Sequence, residues 1–337
     1  MKKLLLLLGL LLIGSCSDEN VLLLENNKNS TKRLTDSSET FSVMSYNVYQ
    51  LPNVMTQYKS KERAIELQKY ISNLGTETPD VLVIEEGFNA RFGDEFLAKV
   101  KTIYPYMSSL LGLYCTSGKG TPLYPNDWDG YYGDCGNTLF HINGGIIILS
   151  KYPILKKYQM IFKNRINSPE GLTNRGVAYV VIQKNGKKYH VMGTHTASEQ
   201  PGFPGRLTRE KQFNEMKTFK ETFSIPRTEP VIYAGDMNVE YTLTHEYQKM
   251  KTILNGVNNY LFNPLIDRGT YSNQNTIVKY QGFKDYNNTL DYILLDKNHK
   301  LPEYITPTNR LMAQYFGGDI SDHDLVYAKF VLRINYL

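Results

Sequence analysis

"PVIYAGDMNV", residues 230–239, poses the question on which the fold class turns. A run of apolar residues stops abruptly on Gly235, Asp236, Met237 and Asn238. In a β-strand, side chains two apart share a face, so Asp236 and Asn238 would sit side by side at the end of a buried strand. A turn is the competing explanation, because Asp and Asn cap loops and tolerate unusual backbone angles. This stretch alone leaves the two readings open.

The rest of the chain repeats the pattern. "FSVMSYNVY" (41–49), "PDVLVIEE" (79–86), "GGIIILSKYPI" (144–154), "LDYILLD" (290–296) and "HDLVYAKFVL" (323–332) each read as a strand. "VAYVVIQKNGKKYHVMGTH" (177–195) reads as a hairpin turning at Asn185-Gly186. "ERAIELQKYISNL" (62–74) puts Ala64, Leu67, Ile71 and Leu74 on one helical face, and "LTREKQFNEMKTF" (207–219) is a second helix. Continuous apolar strands alternating with helices imply a layered α/β fold, with sheets buried on at least one side. There is no internal repeat and no second linker.

Almost every strand ends or begins on a group able to bind metal or move a proton. Asn47 ends one, Glu85 and Glu86 the next, then His195, then Asp236 with Asn238. Asp291 opens another, and Asp322-His323 precedes the last. Turns and caps explain any single case, but six together point to a site where loops meet beyond the strand ends.

The chain has 337 residues, is 41% hydrophobic and carries a net charge of +5. It can bury a real core, and it is not a disordered chain. "MKKLLLLLGLLLIGSC" has the positive start, short apolar run and small-residue ending of an export signal, and the run is too short to span a bilayer. Residues 1–15 are expected to be a lipoprotein signal peptide, because "LIGSC" resembles a lipobox, with Cys16 the lipidated residue. Residues 16–39 are polar and aperiodic, as in a tether; 40–337 would be the catalytic domain. The chain is expected to be exported and anchored to a bacterial outer membrane or cell surface, or released from it. Without Lys2 and Lys3 the charge falls to +3, an excess too small to argue for a nucleic-acid partner, which is not expected. Cys115 and Cys135 remain, and an exported pair suggests a disulfide closing a long loop, with two free thiols as the alternative.

"MSYNVYQLP", "GGIIILSKYPI", the "NRGVAY" to "GTH" stretch, "GDMNV", "LDYI" and "SDH" resemble, in wording and order, the exonuclease–endonuclease–phosphatase superfamily. Within it they are similar to the secreted bacterial neutral sphingomyelinases. The resemblance runs from about Phe41 to the C-terminus. It implies a four-layer α/β/β/α sandwich of two packed mixed sheets flanked by helices. It also implies hydrolysis of a phosphate diester, sphingomyelin or a related phosphosphingolipid, by a monomer with no protein partner. A nuclease on the same scaffold is the alternative.

Residue by residue, the resemblance implies that Glu86 and Asn47 hold one catalytic Mg2+ (or Mn2+ or Co2+), with Asp322 supporting them. His323 would be the general base, oriented by Asp291. Asp236 and Asn238 would position water and phosphate, and His195 would face the phosphate or leaving oxygen. Asn174 would approach the phosphate. Tyr315 and Phe316 remain of a shortened membrane-contacting hairpin. Arg209 and Gln212 would support the loop after His195. The chain has Ile142 and Asn143 where relatives carry acids of a second, edge metal site, so that site is expected to be absent or weakened. Gln200 stands where relatives have an acid that could hold a cationic head group. Tyr124, Trp128, Tyr131 and Tyr132 offer cation–π faces for choline instead.

Overall fold

Two sheets stacked face to face produce the strand-end pattern. The computed structural model describes residues 38–333 apart from 53–54, 56–57, 90–91, 116–125, 136–141, 259–264, 266, 283–284, 306–308, 312 and 316. The signal segment, Cys16, nearly all of the tether, Tyr124 and Phe316 therefore lie outside the described residues. Thr40–Leu332 forms one compact unit.

Strand β1 (Ser38–Gln50) leads through helix α1 (Ser60–Asn73) to the parallel β2 (Val81–Gly87). Then come β3 (Tyr106–Met107), β4 (Gly130–Gly133), β5 (Ile147–Ser150) and β6 (Ile154–Ile161). A hairpin follows, β7 (Gly176–Lys184) and β8 (Lys187–His195), and then α2 (Arg206–Glu221) and β9 (Val231–Asp236). Next are α3 (Thr244–Leu254), β10 (Gly256–Val257), β11 (Tyr271–Ser272), α4 (Thr276–Tyr280), β12 (Asn287–Asn288) and β13 (Asp291–Asp296). The chain closes with β14 (Tyr304–Ile305), β15 (Asn309–Leu311), β16 (Gln314–Tyr315), β17 (Gly318–Asp319) and β18 (Leu325–Arg333).

One sheet runs β14-β18-β1-β2-β5-β3, with β15 also on β18; the other runs β10-β13-β9-β8-β7-β6-β4. Strand alternation sorts each strand into two faces. Val43, Val81, Val83 and Ile148 of the first sheet meet Ala178, Val191, Ile232, Ala234 and Ile293 of the second in a central core. Met44, Tyr46, Leu82 and Ile84 face outward, under Ala64, Leu67 and Ile71 of α1. Tyr233, Met192 and Leu294 face the other way, under Phe213 and Met216 of α2 and Met250 of α3. This is the expected α/β/β/α sandwich. A Cβ built on Gly193 would lie 2.8 Å from Val83 Cγ1, so a larger residue there would push the sheets apart.

The hairpin turns at Asn185 and Gly186, both with positive φ (50° and 76°), as a two-residue primed turn requires. The segment read as a single strand over 144–154 is instead the corner between the sheets: β5 belongs to the first and β6 to the second. The Ser150 hydroxyl and Tyr152 backbone close a tight turn there, and Pro153 has no N–H to continue the ladder.

Candidate active site

Register explains why the polar strand ends converge. His195 pairs with Asp236 across β8 and β9, and Asp236 pairs with Asp291 across β9 and β13, so three neighbouring strands present the three in one row. In the other sheet Asn47 pairs with Glu85. Alternation continues the inter-sheet face: Val43 leads to Asn47, Val83 to Glu85, Ala234 to Asp236 and, in reverse, Ile293 to Asp291. The row therefore sits where the central core ends, beside a cleft of about 860 Å³ that Glu86, Arg175, His195, Asp236, Asn238, Tyr271, Asp322 and His323 line.

Glu86 and Asn238 escape the strand alternation. Each has a left-handed backbone, φ 57° and 49°, which is costly away from glycine and turns the side chain out of the sheet's pattern. Strand β9 stops at Asp236, so Asn238 does not reach the cleft through a two-residue period. It gets there through the competing turn: its backbone N–H donates to Asp236 Oδ1 at 2.9 Å, and its Nδ2 donates to Thr196 O at 3.0 Å. The turn chemistry places the group.

His323 Nδ1 hydrogen-bonds Asp291 Oδ2 at 2.8 Å, and its Nε2 lies 3.7 Å from Asp236 Oδ2. Burial by itself would lower its pKa, but Asp291, Asp236 and Asp322 together raise it well above the ordinary value. His195 is the opposite case: burial, then the charges of Arg175 and His323, hold it well below, so it is neutral. Its Nε2 lies 3.3 Å from Asp236 Oδ2, and its buried Nδ1 has no hydrogen-bond partner. Burial and then Asp291 raise Asp236 to about 6. Asn47 donates to Asp236 Oδ2 at 3.1 Å, and its own oxygen accepts the Tyr49 N–H at 3.1 Å.

Glu86 Oε2 has no hydrogen-bond partner. Burial, and then the nearby Asp322, raise this carboxyl to about 7, against the pull of Arg175 and His323. A buried carboxylate oxygen left without a donor, beside a second acid, fits a hard cation. Asp322 lines the same cleft with Oδ2 accepting from Gln281 at 2.9 Å. Asp236, Asp291 and His323 also approach one another closely enough to hold an ion. There, however, the 2.8 Å contact between His323 and Asp291 already engages the imidazole. Glu85 points into the core: Ser45 Oγ donates to it at 2.7 Å, and burial raises its pKa well above normal.

Several expectations need correction. Asn174 does not face the cleft. Its Nδ2 donates to Gly112 O at 2.9 Å, and its Oδ1 accepts from Arg165 at 3.1 Å, which ties it to the loop that carries Cys115. Its neighbour Arg175 lines the cleft instead, ion-paired to Glu170 at 3.4 Å and bonded to Thr196 O. Sequence reading passed over Arg175 within "NRG", because a lone arginine just before a strand carries no local mark of its role. Tyr132 does not serve the cleft either, since it packs on Phe219 and Phe223. Tyr131 accepts the Cys135 N–H at 2.7 Å, and Trp128 packs on the central core. Gln200 donates to Ser198 Oγ at 2.6 Å and to Glu170 at 3.3 Å. Tyr315 sits on β16, paired with Gly318, and only its backbone is described. Cys115 and Cys135 form a disulfide. Arg209 and Gln212 do hold the loop after His195, through Ala197 O at 3.0 Å and Ala197 N at 2.8 Å.

Residues 44–323 match the Endonuclease/Exonuclease/phosphatase family. The chain is 35% identical over 339 residues to a phospholipase C of Staphylococcus aureus, covering 94% of this chain and 92% of that protein. It is 32% identical over 295 residues to a sphingomyelinase C of Leptospira interrogans, covering 85% of this chain but only half the length of that relative. It superposes on a crystal structure of Staphylococcus aureus beta toxin with bound magnesium ions at a TM-score of 0.71, with 30% identity, covering 86% of this chain and 99% of the other.

Proposed function

The chain belongs to the Endonuclease/Exonuclease/phosphatase family, and from that premise we propose that it is a cation-dependent phosphodiesterase that hydrolyses sphingomyelin to ceramide and phosphocholine. The observation that carries this reading is one cleft floor holding both an imidazole oriented by a carboxylate and an unpartnered carboxylate oxygen, those of His323 and Glu86. The named relatives supply the substrate class.

Glu86 would hold the cation, with Asn47 and Asp322 beside it; when bound, a magnesium (or manganese or cobalt) ion supplies stabilisation of negative charge on the phosphoryl oxygens. In its neutral form His323 takes a proton at Nε2 from water as the water oxygen bonds to phosphorus, and the carboxylates that raise its pKa stabilise the imidazolium that forms. The bond from phosphorus to the ceramide oxygen breaks, its electron pair stays with that oxygen, which takes a proton from solvent, and His323 returns its own proton to solvent. Asp291 holds Nδ1–H and so keeps Nε2 the accepting nitrogen. Asn238 and Asp236 position the water and phosphate. Neutral His195 and cationic Arg175 hydrogen-bond the phosphate or the departing oxygen. Export and lipid attachment at Cys16 belong to the same proposal, as does action as a monomer; loss of labelled palmitate in Cys16→Ala would test the anchor.

The deciding experiment is phosphocholine release from sphingomyelin vesicles with magnesium, with chelator, and with His323→Ala. Release that needs both metal and His323 supports the proposal. No release, with plasmid DNA cut under the same conditions, would replace it with the nuclease reading.

A further inference from the structure

One wall of the cleft carries residues that the reaction above leaves unused. The Tyr271 ring lies against the His323 imidazole, with centroids 5.0 Å apart. Tyr286 meets Tyr271 edge-on at 5.6 Å. Asn288 Nδ2 donates to Glu240 Oε2 at 2.9 Å, and Tyr286 lies close enough to Glu240 that burial and then this carboxylate raise the pKa of its hydroxyl. Asn288 is itself buried and also bonds Thr242 Oγ1 at 2.6 Å, so the carboxylate is held in place. Tyr271, Tyr286 and Glu240 all line the cleft. An aromatic path thus leads from the base to an anchored negative charge.

That charge is uncompensated where its neighbours are not. Along the same cleft Glu170 is paired with Arg175 at 3.4 Å, and Glu199 and Glu246 share Arg209 at 2.6 and 2.7 Å. Among the described residues Glu240 has no cation within ion-pair distance. The cleft lining is mixed: Leu51, Pro52 and Phe88 lie past the ends of β1 and β2 beside Glu86, and Leu243 and Leu290 lie with Tyr271, Tyr286 and Glu240 past β9 and beside β11 and β12.

We propose that Tyr271, Tyr286 and Glu240 form the head-group subsite and take a quaternary ammonium, the two aromatic faces and the fixed carboxylate surrounding the cation of phosphocholine. This rests on the phosphodiesterase reading and extends it from reaction to selectivity. The cation is a spectator: it stays on the phosphorus as the ceramide oxygen leaves. Gln200, bound to Ser198 and Glu170, has no part in the subsite.

The test compares kcat/KM for sphingomyelin and for ceramide phosphoinositol, whose head group carries no cation, in mixed micelles. Glu240→Gln keeps the shape and the Asn288 hydrogen bond, and removes the charge. It is expected to lower the preference for sphingomyelin about tenfold, mainly through KM. Tyr286→Leu should lower it similarly, and Tyr286→Phe, which keeps the ring, should lower it less. Calorimetric binding of phosphocholine to the same proteins gives a readout independent of turnover. Hydrolysis with an unchanged preference in Glu240→Gln overturns the subsite and leaves the reaction standing. Phosphocholine binding that depends on Glu240, without hydrolysis, supports the subsite and overturns the reaction. Absence of both overturns both.

Discussion

His323, just before a strand of one sheet, and Asp291, on a strand of the other, are 32 residues apart in sequence and meet through Nδ1 and Oδ2 at 2.8 Å. Strand β13 supplies the carboxylate as its first residue, and His323 stands two residues before β18. The contact therefore exists only once the sheets have stacked. It gives the imidazole one defined orientation, with Nε2 turned toward Asp236.

Asp291→Asn tests that orientation. An amide can donate to Nδ1 and so favour the tautomer whose Nε2 carries the proton. The expected outcome is a fall in kcat of about 10³ to 10⁴, with KM little changed. Steady-state hydrolysis of sphingomyelin reads it; a loss under tenfold would remove Asp291 as the group that sets the tautomer of His323.

Glu86 links metal binding to pH. Its carboxyl in the folded, metal-free protein is raised to about 7 from 4.5, first by burial and then by Asp322. A raised carboxyl contributes stability that is fully present below about 4.5 and is lost as pH rises through about 7. Magnesium needs the ionised form, so its stabilising effect runs the other way. The melting-temperature gain from saturating magnesium should be small at pH 5.5 and largest above pH 7.5. In Glu86→Gln the gain should be abolished at every pH. A gain independent of pH in the unaltered protein would mean that Glu86 is not the ligand.

Arg175 lowers the pKa of Glu86, against burial and Asp322. Arg175→Met should move the pH of half-maximal magnesium binding to the alkaline side, and Arg175→Lys should move it less. Turnover should fall by about tenfold or more, through loss of a donor at the phosphate. Magnesium titrations at several pH values separate the two effects. An unmoved midpoint would show that Arg175 acts on the substrate alone.

The Cys115–Cys135 disulfide closes a loop with a sequence separation of 20. Replacing both cysteines by serine should cost about 2–4 kcal/mol of stability, chiefly by freeing the unfolded chain. Because Asn174 is tied to this loop and turned away from the cleft, kcat should stay within a few-fold of the unaltered protein. Denaturant unfolding beside kinetics checks both. A collapse of kcat at normal stability would return Asn174 and its loop to the site.

Much of the site was legible because its chemistry rides on strand ends. Asn47, His195, Asp236 and Asp291 each close or open an apolar run, and alternation carries them onto the inter-sheet face. Arg175 was not singled out because a lone arginine at the start of a strand has no local feature to mark its role. Asn174 was misassigned for the complementary reason: an adjacent residue points the other way, and only its contacts with Gly112 and Arg165 reveal that. The corner at Lys151–Pro153 was hidden because the residues on both sides are equally apolar, and apolarity does not say which sheet receives them.

By itself, then, the sequence determined helices α1 and α2, most of the long strands, the hairpin at Asn185-Gly186, the layered class and the kinds of group at the strand ends. These depend on side-chain period and backbone preference, which are local properties. Tertiary structure alone decided that β5 and β6 part into different sheets, that Glu86 and Asn238 take left-handed backbones into one cleft, and that Glu240, with no cation within ion-pair distance among the described residues, lies in that cleft with two tyrosines. Those outcomes depend on burial and on partners distant in sequence. Both act only when the two sheets close on each other.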